Sequence, residues 1–181
     1  MSTTTQHLSR PSAAGRARFP RLGARTRKVT LIVHLSSVAA WFGMHFVLGV
    51  LTFAALGAPA ESAPAFALSI AMFVGWPLIV AALLTLLSGL LLALGSKHGL
   101  LRYWWVATKL ALTVVLITLI LLVLVPSVAE LAAAASGAPE EFALSQQLIA
   151  PPIVSSSALL FTIAISVIKP WGRTRRDAEP G

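Results

Sequence analysis

Four uninterrupted apolar runs, each about 20 residues long or longer, dominate this sequence of 181 residues. A helix rises about 1.5 Å per residue, so a run of this length crosses roughly 30 Å of hydrocarbon. Hydrophobic residues make up 57% of the chain and charged residues only 11%, which excludes an ordinary water-soluble domain. Because the connections are short, successive helices should be antiparallel neighbours. The sequence therefore predicts an all-α membrane protein, a four-transmembrane-helix antiparallel bundle.

The predicted transmembrane domain covers residues 29-169 and lies between two basic tails, 1-28 and 170-181. The N-terminal tail is rich in Ser, Gly, Pro and Arg and has no periodic apolar pattern, so we expect it to be disordered. The four helices are expected at about 29-56, 66-94, 103-131 and 150-169.

Prolines indicate one place where a helix should bend and one where a helix should end. Pro77 follows Gly75 and Trp76 within the second run, and we expect a static bend there, packed by the indole. Pro126 and Glu130 indicate the end of the third helix, so residues 132-147 are predicted to form the longest loop.

The distribution of positive charge predicts the topology. Of the 14 Lys and Arg residues, seven lie in the N-terminal tail, two in the turn at 95-102 and four from Lys169 onward. The two opposite loops carry glutamates and no basic residue. The positive-inside rule therefore predicts that both termini are cytoplasmic. The net charge of +8 is best explained by anionic lipid headgroups, and we expect no nucleic acid partner.

Enzymatic motifs are missing from the sequence. It has no cysteine, hence no thiolate nucleophile or thiolate ligand. It also lacks a P-loop, a dinucleotide fingerprint, a nucleophile elbow and zinc-ligand spacing. We therefore expect a protein that is not an enzyme.

The stretch from Ser88 to Thr113, SGLLLALGSKHGLLRYWWVATKLALT, carries the pattern G-L-x-R-x-x-W-V-x-x-K before the third run. In the first run, His34 precedes Trp41-Phe42-Gly43 by seven residues. In both features the chain resembles a family of uncharacterised actinobacterial four-helix integral membrane proteins. The resemblance covers roughly residues 30 to 130.

This resemblance implies a four-helix fold and a bacterial cytoplasmic membrane, and it implies no activity. Two histidines depart from the family pattern: His98 stands where a Trp is usual, and His45 where a small or apolar residue is usual. Any chemistry that needs these two residues would be particular to this chain.

Three ionisable residues are expected at membrane depth, where an unpaired charge costs about 2.5 to 3.5 kcal/mol. They are His34, His45 and Lys109. His34, Ser37, Trp41 and His45 follow the spacing i, i+3, i+7, i+11, so they should form one stripe that faces the bundle interior.

The histidines have two interpretations. A neutral imidazole is the commonest metal ligand, so His34 could bind haem b or a metal in a redox protein, with only His98 able to supply a second imidazole. Otherwise each imidazole hydrogen-bonds a neighbouring helix, at Ser88 or at Ser155 to Ser157. Since His34 and His45 are separated by roughly 16 Å along the helix, one small ligand cannot bind both.

Lys109 has no carboxylate partner inside the membrane. Its stem could carry the ammonium to the cytoplasmic interface, or its charge could line an anion path together with the hydroxyls of the third and fourth helices. The sequence therefore leaves three hypotheses. The first is a non-enzymatic protein that acts through packing, as a homo-oligomer or with a membrane protein partner. The others are a haem or metal protein using His34 and a small-solute transporter or channel component.

Overall fold

Four long helical spans make up the computed structural model, which describes residues 23–95, 103–137 and 148–168. Each span is long and apolar enough to cross a membrane. The described residues are almost entirely helical, as predicted, and their four spans are consistent with the predicted multi-pass membrane protein. His98, residues 1–22, residues 138–147 of the predicted loop and the whole predicted tail 170-181 lie outside the described residues.

The first span is one continuous helix, α1, Ala24–Leu56. It begins five residues before the predicted position, so residues 24–28, predicted as part of the disordered tail, are helical. Ala, Arg and Lys are good helix formers, and the helix does not need to end where the hydrocarbon ends. As a result, Arg25, Arg27 and Lys28 project as exposed side chains from the first turns of α1.

The second span is broken at Gly75 into α2, Ala63–Val74, and α3, Trp76–Leu94. Pro77 has no N–H to donate into the preceding turn, so the interruption predicted at this position is observed. The expected packing of the indole is wrong. Trp76 is 75% exposed and therefore faces away from the bundle.

The third span runs through α4, Trp104–Leu119, a π-helical turn, Ile120–Leu124, and α5, Val125–Gly137. The prediction that it ends near residue 131 is wrong. In the π turn the Val125 N–H bonds the carbonyl of Ile120, five residues back. This shift in the ladder lets the helix pass Pro126, whose missing N–H would otherwise end it.

The fourth span is α6, Ala150–Ile168, with prolines in its opening turn. Among the described residues, α1 packs against α2, α3 and α6, while α4 packs against α3 and α6 and α5 packs against α2. The spans therefore form a ring in chain order that is closed by contact between the first and the last. Large apolar side chains cover the outside of this ring, as expected for a surface in contact with lipid.

Candidate functional site

Polar side chains from all four spans meet near the end of the bundle where α1 begins and α3 ends. Each is hydrogen-bonded to a side chain of a neighbouring span. We call this set the polar layer, and its members are His34, Ser37, Thr85, Ser88, Lys109 and Ser166.

His34 is bonded across the interface between α1 and α3. Its Nδ1 lies 3.0 Å from the hydroxyl oxygen of Ser88. The Ser88 hydroxyl donates its own hydrogen to backbone carbonyls of α3, chiefly that of Leu84. The oxygen of Ser88 is therefore the acceptor and His34 Nδ1–H the donor, which leaves the lone pair of the imidazole on Nε2.

A second bond between hydroxyls joins the same two helices one turn deeper. The Ser37 hydroxyl donates to the carbonyl of His34 and accepts at 3.0 Å from the hydroxyl of Thr85. Thr85 also lies 2.8 Å from the carbonyl of Ala81 in its own helix. Both hydroxyls are buried and both are satisfied.

Gly89 gives the His34 imidazole its space. A Cβ on Gly89 would lie only 3.2 Å from Cε1 of His34. At that distance the ring would have to move, so a side chain at this position would disturb the bond to Ser88.

Lys109 connects α4 to α6 within the polar layer. Its ammonium donates to the Ser166 hydroxyl at 3.1 Å and lies 4.7 Å from the centre of the Trp105 ring, a cation–π distance. Lys109 and Ser166 both lie near the same end of the bundle, the end to which snorkelling would carry the ammonium.

A second polar group lies deeper in the bundle, on the same face of α1. Trp41, His45 and Thr52 are each 0% exposed. Trp41 Nε1, His45 Nε2 and Thr52 Oγ1 are buried and meet no hydrogen-bonding partner among the described residues. We call these three residues the buried triplet.

The His45 imidazole is oriented by its own helix. Its Nδ1 lies 3.2 Å from the carbonyl oxygen of Trp41, and because a carbonyl can only accept, Nδ1 must carry the hydrogen. Nε2 meets no partner in the part of the chain that the structure describes, so the expected bond from His45 to a neighbouring helix is not found there. In this tautomer the lone pair on Nε2 lies inside the sealed core of the bundle.

The residues that could hold a metal or haem are few. No group of three His, Asp or Glu side chains occurs within ranges 23–95, 103–137 and 148–168. If Nδ1–H donates to Ser88, as inferred above, Nε2 of His34 is unprotonated and fits a single coordination position. His45 is enclosed on all sides, so a porphyrin could reach it only if the helices separated.

The helical spacing predicts one stripe for His34, Ser37, Trp41 and His45, and Ser88, a predicted partner for histidine, does bond His34. Thr85, Gly89 and Thr52 were not predicted. Thr52 could have been predicted, because the spacing of the stripe continues through Leu48 to position 52. Thr85 and Gly89 gave no comparable signal, because a single Thr or Gly in an apolar helix is common.

No family model matches the sequence, and no curated protein or solved structure is significantly similar to it. The resemblance to the actinobacterial four-helix family therefore stays a prediction.

Proposed function

We propose that this chain is a non-enzymatic integral protein of the bacterial cytoplasmic membrane that acts through helix packing and through contact with a membrane partner. One observation carries the proposal: the polar layer is bonded internally. His34 pairs with Ser88 and Lys109 with Ser166, each across a helix interface. Hydrogen bonds of this kind hold transmembrane helices together.

The proposed surroundings of the bundle follow from its surface. Apolar side chains project outward along all four spans, where they meet lipid, a second copy of the chain or another membrane protein. Arg25, Arg27 and Lys28 are exposed at the start of α1, where anionic headgroups would neutralise them. The charge pattern supports cytoplasmic termini, and a topology reporter fused after Gly181 tests this. Activity of a periplasm-specific reporter at that position would overturn the orientation.

An absorption spectrum of the purified protein, oxidised and then reduced with dithionite, tests the absence of a redox role. We expect no Soret band and no stoichiometric metal, and we expect His34→Ala to lower only thermal stability. Haem b supplied during expression controls for loss of the cofactor. A Soret band at near-unit stoichiometry that disappears in His34→Ala would replace the proposal with a haem protein that uses His34 as an axial ligand.

A small-solute path is the second candidate, and the position of Lys109 favours it. The ammonium lies inside a membrane span, and the polar layer around it is shared by four spans. Under this candidate, Lys109→Met abolishes chloride flux into proteoliposomes, whereas Lys109→Arg retains it because the charge is kept. Equal flux through wild-type and Met variants, or none through either, excludes Lys109 as part of an anion path.

A further inference from the structure

The three unpartnered atoms of the buried triplet lie on one face of α1. Positions 41, 45 and 52 fall within an arc of about 40° when the helix is viewed along its axis. Each atom lies in a fully buried side chain. An unsatisfied buried polar group costs about 1 to 3 kcal/mol, so three on one face would be a large penalty for a small bundle.

Among the described residues, Thr52 carries the one fully buried hydroxyl without a hydrogen-bonding partner. Most hydroxyls with a described bond donate to the carbonyl four residues earlier, which satisfies them within their own helix: Thr30, Ser69, Thr85, Ser88, Thr118 and Ser136. Thr52 Oγ1 does not make this bond. Thr52 therefore lacks the local bond that satisfies these other hydroxyls, and no described residue replaces it.

The buried triplet lies at a depth where two other spans depart from the α-helix. In the antiparallel pair α1 and α3, position 34 lies opposite 88 and position 37 opposite 85. The same register places position 45 opposite 77, beside the break at Gly75.

The third span reaches the same depth. Pro152 lies beside Gly49, which sets α6 against α1, and the Lys109–Ser166 bond sets α4 against α6. Through α6, these two pairs align the third span with α1. By this alignment the π turn lies beside positions 46 to 50 of α1, to within about one turn. Non-helical backbone at membrane depth is tolerated where it is buried in protein or lines a hydrated cavity, and π turns are frequent at functional sites.

The chemistry of the three atoms specifies the ligand. Trp41 Nε1–H can only donate, and His45 Nε2, in the tautomer inferred from the bond of Nδ1 to the Trp41 carbonyl, can only accept. A bare cation cannot serve the indole, and a simple anion cannot serve the imidazole lone pair. A ligand that serves both must accept and donate, and it must fit inside a closed core. Water meets these requirements, and buried water commonly satisfies groups of this kind.

We propose that Trp41, His45 and Thr52 line an internal site that holds more than one ordered water, since Trp41 and Thr52 lie roughly 16 Å apart along α1; the site is sealed within the bundle at the depth of the Gly75 break and the π turn. The site is separate from the polar layer, whose groups satisfy one another. It does not depend on the proposed function, since a packing protein and a solute path could each contain it.

Proton-detected solid-state NMR on the full-length protein in lipid bilayers tests the proposal. With ¹⁵N-labelled tryptophan, we expect a cross peak from water to the indole N–H of Trp41 at short mixing time. Trp76 is the matched control, because it lies at nearly the same depth but faces outward, and it should show no such peak. A Trp41 indole without a water cross peak overturns the proposal.

Assignment and a second readout keep the test decisive. Trp41→Phe identifies the peak; should that variant not fold, Phe variants of the other four tryptophans identify it by elimination. Independently, Thr52→Val removes a hydroxyl at nearly constant shape. We expect it to lower the unfolding midpoint by about 2 to 4 °C relative to Thr118→Val, whose hydroxyl is exposed and bonded within its helix. A higher midpoint for Thr52→Val shows a dry, unsatisfied hydroxyl and overturns the proposal.

Discussion

The polar layer and the buried triplet lie on the same face of α1, but they differ in whether their polar atoms have hydrogen-bonding partners. Around His34, every side chain of the layer finds a partner on another span. Around His45, three polar atoms are buried more deeply and meet no partner in the described chain. The contrast shows that burial alone does not reveal what a polar side chain does in a membrane bundle.

The difference follows from what faces each region. Opposite His34 and Ser37, α3 presents Thr85, Ser88 and the open space at Gly89. Around the buried triplet no described side chain offers a hydrogen-bonding partner, and the core of the bundle consists mainly of Ala, Ile, Leu and Val. The first region can therefore act as a helix contact, whereas the second needs a ligand to satisfy it.

The largest effect is expected for Trp41→Ala, since this substitution opens a cavity in the sealed region. We expect a loss of about 3 kcal/mol or more in unfolding free energy, measured by reversible unfolding in mixed micelles. Trp76→Ala removes the same side chain from an exposed position and should change stability by less than about 0.5 kcal/mol. Similar losses for both variants would mean that the buried triplet is not a packed core.

Gly89→Ala should break the polar layer without touching the buried triplet. The new Cβ would press on the His34 ring and should cost about 1 to 3 kcal/mol, by the same unfolding measurement. Gly43→Ala is the control, because a Cβ at that position meets nothing within 4 Å and alanine favours the helix. If both variants are equally stable, the imidazole has more room than the geometry indicates.

A double-mutant cycle of His34→Ala and Ser88→Ala should give a coupling of about 0.6 kcal/mol and at most about 1.7 kcal/mol, the range measured for hydrogen bonds between membrane helices. The matched cycle with Ser69→Ala should give none, since Ser69 bonds only its own helix in the described structure. Zero coupling in the first cycle would remove His34 from the polar layer.

The smallest effect is expected for Thr85→Val. The hydroxyl of Thr85 is shared between Ser37 and the carbonyl of Ala81, so its loss should cost roughly 0.6 kcal/mol in unfolding free energy. Comparison with Thr52→Val sharpens the contrast between the regions. If both substitutions lower the unfolding free energy, both hydroxyls have partners. If Thr85→Val lowers it and Thr52→Val raises it, only Thr85 has a partner.

Much of the fold could be predicted from the sequence, because hydrocarbon leaves few alternatives to a helix. Apolar runs give the number of spans, and the break near Pro77 follows from its missing N–H. The passage of the third helix through Pro126 could not be predicted, since it depends on a π turn with no sequence signature. The candidate site was recognised in part: helical spacing placed His34 and His45 on one face, but spacing cannot tell which one has a partner.

The sequence by itself determined the class of protein, the number of spans and the inward stripe on α1, because these depend on residue type and helical period. The tertiary structure decided the rest. Helix register and rotation decide which helices are neighbours, that His34 meets Ser88 beside Gly89, and that Nε2 of His45 meets no described partner. Those are set by the packing of many side chains together, which no local pattern of residues encodes.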